Sequence, residues 1–135
     1  MPTIKKRTLL IASLMLVGML FLSGCRRSQE APSADLTIAL LSPSAQSMDG
    51  RTELQLQVTD ASGQPVDNAT LDITGDMTHA GMVPVQAETS SGTAGVYAVP
   101  FTWTMAGDWI LTVRATLPDG RWSERQFDLT VSGGM

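Results

Sequence analysis

Met77, His79 and Met82 lie within six residues of one another, in Gly75-Asp76-Met77-Thr78-His79-Ala80-Gly81-Met82, and His79 is the one histidine of the chain. Two thioether sulfurs and one imidazole make a soft donor set. Polarizable sulfur favours a soft monovalent ion such as Cu(I), whereas Mg or Ca takes oxygen donors. The competing reading is packing, because methionine readily fills irregular gaps in cores. What weighs against pure packing is how few methionines there are. Beyond the N-terminal leader only Met48, Met77, Met82, Met105 and Met135 remain, and three of these five can gather around the sole histidine.

The N-terminus sets the compartment in which such a cluster would work. Lys5, Lys6 and Arg7 precede an apolar run from Leu9 to Leu22, too short for an ordinary transmembrane helix and of the form of a secretory signal peptide. It ends in Leu22-Ser23-Gly24-Cys25, which resembles a bacterial lipobox. The expectation is a lipoprotein signal peptide over 1–24, a lipidated Cys25 and a flexible tether over 25–34 rich in small and polar residues. Cys25 is the only cysteine, so no intramolecular disulfide can form, and lipidation accounts for the odd thiol. Each buried acyl methylene contributes about 0.8 kcal/mol, so several chains on one residue hold a protein firmly to a bilayer. The expected location is extracytoplasmic, on the periplasmic or cell-surface face of a bacterial membrane. Thioethers suit that setting, since they cannot be lost to disulfides, although they remain open to sulfoxide formation.

Nine Lys and Arg stand against thirteen Asp and Glu, and three of the nine fall in the leader. The chain beyond Cys25 therefore carries six against thirteen, a charge of −7. An acidic surface without a basic patch excludes nucleic acid as an expected partner, and excludes docking on anionic lipid by charge.

The elements that must position the cluster are strands. Leu54, Leu56 and Val58 alternate with polar neighbours over Thr52 to Asp60, the period of a half-buried strand. The same period runs through Leu36, Ile38 and Leu40; through Ala69, Leu71 and Ile73; and through Tyr97, Val99, Phe101 and Trp103. It returns in Trp109, Leu111, Val113 and Ala115; after a turn at Pro118-Asp119-Gly120 comes Trp122, and then the period again in Phe127, Leu129 and Val131. No stretch after the leader has helical periodicity. Short strands punctuated by Asp60-Ala-Ser-Gly63, Ser91-Gly92, Ala106-Gly107 and Asp119-Gly120 predict an all-β domain over 35–131. The expected fold is an immunoglobulin-like antiparallel β-sandwich of about seven strands, followed by a disordered tail over 132–135.

That fold makes a prediction about the cluster. The strand around Leu71 to Gly75 should run antiparallel beside the strand that begins near Asp108, which brings Met105 towards Met77–Met82. Met77 and His79 would share a face at about 6.6 Å in an extended segment, given a rise of roughly 3.3 Å per residue. Met82 has the opposite parity and can join them only if the chain turns at Ala80-Gly81, where glycine accepts a positive φ. The candidate metal ligands are thus Met77, His79, Met82 and Met105.

Other chemistries fit less well. A Ser-His-Asp hydrolase would need His79 as base, yet no serine lies in a Gly-x-Ser-x-Gly elbow. Asp67, Asp72 and Asp76 are too widely spaced for an EF-type calcium loop. One histidine without thiolates falls short of a usual zinc set. Trp103, Trp109 and Trp122 at alternating strand positions read as core rather than as a binding platform. No enzyme is expected.

The succession Asp76-Met77-Thr78-His79-Ala80-Gly81-Met82, then Gly95-Val96-Tyr97, then Trp103-Thr104-Met105-Ala106-Gly107-Asp108-Trp109 resembles the YtkA-like domain, related to FixH-like proteins. The resemblance implies an exported, membrane-tethered β-sandwich that is not an enzyme and that acts in copper handling or in copper supply to respiratory oxidases. By position, Met77, His79, Met82 and Met105 match the family's methionine and histidine places. The lipobox departs from FixH-like proteins, which keep a transmembrane helix. The residues and the resemblance together leave two functions from different classes. One is a Cu(I)-binding module that passes its ion to a membrane or exported acceptor. The other is a metal-free structural or protein-interaction module of the cell envelope.

Overall fold

Alternation of apolar and polar residues becomes a two-layer β-sandwich in the computed structural model, which describes residues 33–43, 45–48 and 52–133. The leader, Cys25, most of the tether and Met135 lie outside the described residues. Nine strands succeed one another: β1 (Leu36–Leu40), β2 (Ala45–Ser47), β3 (Thr52–Asp60), β4 (Thr70–Met77), β5 (Val85–Thr89), β6 (Gly92–Thr93), β7 (Val96–Phe101), β8 (Gly107–Thr116) and β9 (Trp122–Ser132). One sheet has the order β1-β3-β7-β6, the other β2-β9-β8-β4-β5. No helix occurs among the described residues.

Six of these strands are the ones that the two-residue period predicts. The other three, β2, β5 and β6, are short and sit at sheet edges, where few apolar residues are needed and the alternation is weak. One pairing departs from the antiparallel expectation: β2 runs parallel to β9, with Ala45 opposite Thr130. The chain leaves β1 through Leu41-Ser42-Pro43, and a proline cannot donate to a ladder, so it crosses to the second sheet rather than folding back as a hairpin. Two boundaries also move. Ala34 is buried and its N–H donates to the Trp122 carbonyl at 2.8 Å, so the end of the expected tether is fastened to the domain. At the other end β9 takes in Ser132, whose carbonyl accepts from the Met48 N–H at 3.1 Å, shortening the expected tail.

The core is the space between the sheets. Ile38, Leu54, Leu56, Val58, Tyr97, Val99 and Phe101 enter from one side; Leu71, Ile73, Trp109, Leu111, Val113, Ala115, Leu129 and Val131 enter from the other. Burying a side chain of this size contributes about 1.5–3 kcal/mol, so this apolar interior is the main source of stability. Trp103 lies two residues past the end of β7 yet keeps the strand's parity and is buried. Trp103 and Trp109 are thus both core residues, as expected. Trp122 is half-buried, under the guanidinium of Arg114, 4.4 Å above its ring.

At the end of the sandwich away from the methionines, Tyr97 ties β7 to the connection between β3 and β4 by hydrogen bonds. Its hydroxyl donates to the Val66 carbonyl at 2.7 Å and accepts from the Ala69 N–H at 3.1 Å. Burial pushes the phenol above its ordinary value, and the negative charge of Asp67 adds to the effect. The native state therefore holds this proton more tightly than the unfolded chain. The associated stability is fully present below the unfolded value, about 10, and is lost as pH rises through the native one. Tyr97→Phe should cost about 1–3 kcal/mol by leaving a buried N–H and a carbonyl unpaired. It should also flatten the decline in urea midpoint that the wild type shows as pH rises above about 10. At the other end, a Cβ on Gly75 would stand 2.7 Å from Cζ and 3.3 Å from Cε1 of Phe101, and 3.4 Å from Cε3 of Trp109. Gly75→Ala should therefore destabilise by about 1–3 kcal/mol through overpacking, read as a lowered urea midpoint with an unchanged slope.

Candidate functional site

The ladder between β4 and β8 fixes the site. It runs from Thr70 opposite Thr116 to Met77 opposite Trp109, and the Thr78 N–H extends it by donating to the Asp108 carbonyl at 3.2 Å. Leu71, Ile73 and Gly75 are buried on the inner face, so Met77, two residues further, shares that face and packs half-buried against the core. Its terminal methyl lies over Gly107. A Cβ there would stand 2.9 Å from Met77 Cε, and Gly107 has φ +138°, a conformation that side chains disfavour.

Met105 lies two residues before Gly107. The segment 102–106 carries the chain from β7 in one sheet to β8 in the other. Its anchor is Trp109, whose indole N–H donates to the Met105 carbonyl at 3.1 Å. Trp109 is 1 % exposed and is braced by Trp103, edge-on with centroids 5.3 Å apart, which in turn packs on Phe101 at 4.7 Å. The indole N–H of Trp103 itself is buried and finds no hydrogen-bond partner among the described residues. With its carbonyl held, Met105 leaves its side chain 47 % exposed.

The four expected ligands thus occupy one end of one sheet. Met77 ends β4; His79 is exposed in the bend after it; Met82 is half-buried beyond Gly81; Met105 precedes β8. Gly81 has φ +86°, the turn that the parity of Met82 demands. The returning strand β5 begins at Val85 opposite Gly75, so the His79–Met82 loop stays over the β4–β5 corner. Met48 comes directly after β2 and packs half-buried against the core.

Carboxylates line the outer face. Asp108 accepts from the Thr130 hydroxyl at 3.1 Å, and with Asp128, Thr78 and Thr130 it borders an open cleft of about 360 Å³. Successive strand residues point to opposite faces, so Asp108 and Met77 do not converge. The acidic groups bias the local field towards cations from the face opposite Met77. Among the described residues no three His, Cys, Asp or Glu side chains group as a metal site; the candidate ligands are thioethers and one imidazole. What alternation could not reveal is the part played by Gly107 and Trp109. The spacing Met105-Ala-Gly-Asp-Trp109 is visible in the chain, but the hydrogen bond from ring to carbonyl is a product of the turn.

Comparison with known structures agrees with the sandwich. The chain is similar to the Lin-41 filamin domain (17 % identity, TM-score 0.55, covering 77 % of this chain and 99 % of that one). It is also similar to a variant of the superoxide reductase (neelaredoxin) from Ignicoccus hospitalis (11 % identity, TM-score 0.55, covering 73 % of this chain and 82 % of that one). At these identities the likeness is one of fold. No curated protein matches the chain. A family model described as YtkA-like matches residues 30–114, a span that takes in β1 to most of β8 and all four candidate ligands. The chain belongs to the YtkA-like family.

Proposed function

We propose that this domain binds Cu(I) through Met77, His79, Met82 and Met105, as an extracytoplasmic module anchored to a bacterial membrane by a lipidated Cys25. The ion is cargo, held for handling or for delivery to a respiratory oxidase or another envelope partner. The observation that carries the reading is the Met77–Gly107 contact: it sets the thioether of β4 beside the start of β8, two residues from Met105. Three thioether sulfurs, from Met77, Met82 and Met105, suit Cu(I) over hard divalent ions. An exposed His79 and a 47 % exposed Met105 leave the cluster open to incoming ligands, as ligand exchange with an acceptor requires. No catalysis is implied.

A second reading is a metal-free interaction module. It is favoured by Val83, which stands 81 % exposed beside Met82, at the end of the domain where a partner would meet the methionines.

A Cu(I) titration of the full chain in detergent micelles, competed against a chromogenic chelator under reducing conditions, separates the two. The expected result is stoichiometric competition that weakens about tenfold or more in both His79→Ala and Met77→Leu, the scale at which loss of one supporting or direct metal contact is felt. Absence of competition by the wild-type chain would leave the interaction module.

A further inference from the structure

Trp109 occupies an unusual position: it touches both methionine-bearing segments. Its backbone is the ladder partner of Met77, and its indole N–H is the anchor of the Met105 carbonyl. Two residues before it, Gly107 lends Met77 Cε the volume that any side chain would fill. We propose that Trp109 and Gly107 are positioning residues of the thioether cluster. Trp109 holds the Met105 segment, and Gly107 seats the Met77 thioether, so both sulfurs are presented at the start of β8 before an ion arrives. This inference rests on the proposal that the cluster binds copper.

The reasoning is one of freedom removed. A methionine has three rotatable bonds and adapts to many surroundings, so a pair of them makes a weak site unless the backbone or the neighbours restrict them. Met105 is 47 % exposed, and the restraint the structure shows on it comes through its backbone, where the indole is bonded. The Met77 side chain has the opposite arrangement: its backbone is fixed by the ladder, and its terminal methyl is confined by the floor that Gly107 leaves. Trp103, itself packed on Phe101, meets the Trp109 ring edge-on, which makes the anchor part of the core rather than of the loop. Preorganisation of this kind raises affinity by removing an ordering cost, without adding a donor.

A double-mutant cycle on the full chain in detergent micelles tests it, with Cu(I) affinity as the readout for Trp109→Phe, Met105→Leu and the pair. Phenylalanine keeps the aromatic packing and removes the N–H. Each single variant should bind about tenfold more weakly and the pair no more weakly than Met105→Leu alone, since residues acting through one contact are not additive. Losses that multiply would overturn the proposal while leaving copper binding intact. A wild-type chain that fails to compete with the chelator would overturn both. In Gly107→Ala, X-ray absorption at the copper edge should count one sulfur fewer, as in Met77→Leu; an unchanged count overturns the role of Gly107. Should Trp109→Phe not fold, the wild type decides by reciprocity: Cu(I) should slow solvent exchange of the Trp109 indole proton, by about the factor that the anchor contributes to affinity. An unchanged exchange rate would overturn it.

Discussion

Eight residue pairs join β4 to β8, from Thr70–Thr116 to Met77–Trp109, and the parity of this ladder decides which face every side chain near the methionines takes. A slip of one residue would turn Met77 out of the sandwich and put Asp76 or Thr78 in its place, because strand side chains alternate with a period of two. The register is held from below by the burial of Leu71, Ile73, Leu111, Val113 and Ala115, each essentially without solvent contact. A slip would expose all of them at once. The apolar core thus does more than stabilise the domain; it fixes the address of a thioether packed at its edge.

Glycine marks where this end of the core is most crowded. Gly75 and Gly107 both face inward, one under the rings of Phe101 and Trp109, the other under the methyl of Met77. Three aromatic rings packed in series from Phe101 through Trp103 to Trp109 need more width than two ordinary strands leave between them, and residues without a side chain supply it. The same crowding leaves the Trp103 indole N–H without a partner among the described residues, an arrangement that costs about 1–3 kcal/mol for a buried donor. Ring contacts beyond simple burial, about 0.5–1.5 kcal/mol per pair, offset part of it. This end of the domain is therefore tightly filled on its inner side and open on its rim.

Much of this was legible in the chain, for a definite reason. Where a strand is buried on one face, as Thr52–Asp60 and Gly107–Thr116 are, its period is written in the residue types and its boundaries follow. That Met77 ends one strand beside the start of another could be foreseen, because topology alone pairs the end of β4 with the start of β8. Strands that bury little could not be read: β6 has two residues, and β2 lies on the rim of its sheet, parallel to β9. Nor could the end of the tether. Ser33 and Ala34 are small, and what binds them to the domain is the bridge from Ser33 to Trp122, the hydrogen bonds of Ala34 with Trp122 and Ser123, and the burial of Ala34. The indole-to-carbonyl bond of Trp109 was hidden for a different reason. It depends on how a short crossing between sheets folds back over a ring, and no periodicity records that.

The distribution of exposure bears on how the proposed site would work. Met77 is half-buried and fixed at both ends, Met82 is half-buried beyond a glycine turn, and His79 and Met105 are exposed. Donors of such unequal restraint cannot all leave an ion at the same rate. A ligand seated in the core holds on, while ligands on rotatable bonds at the rim are displaced first by an incoming partner. Carboxylates on the other face of the same sheet, Asp108 and Asp128, add a field that draws cations to this end without binding them through sulfur. An anchored thioether beneath an open rim is an arrangement suited to the proposed carriage of Cu(I) as cargo, in which rim ligands are exchanged while the seated one still holds.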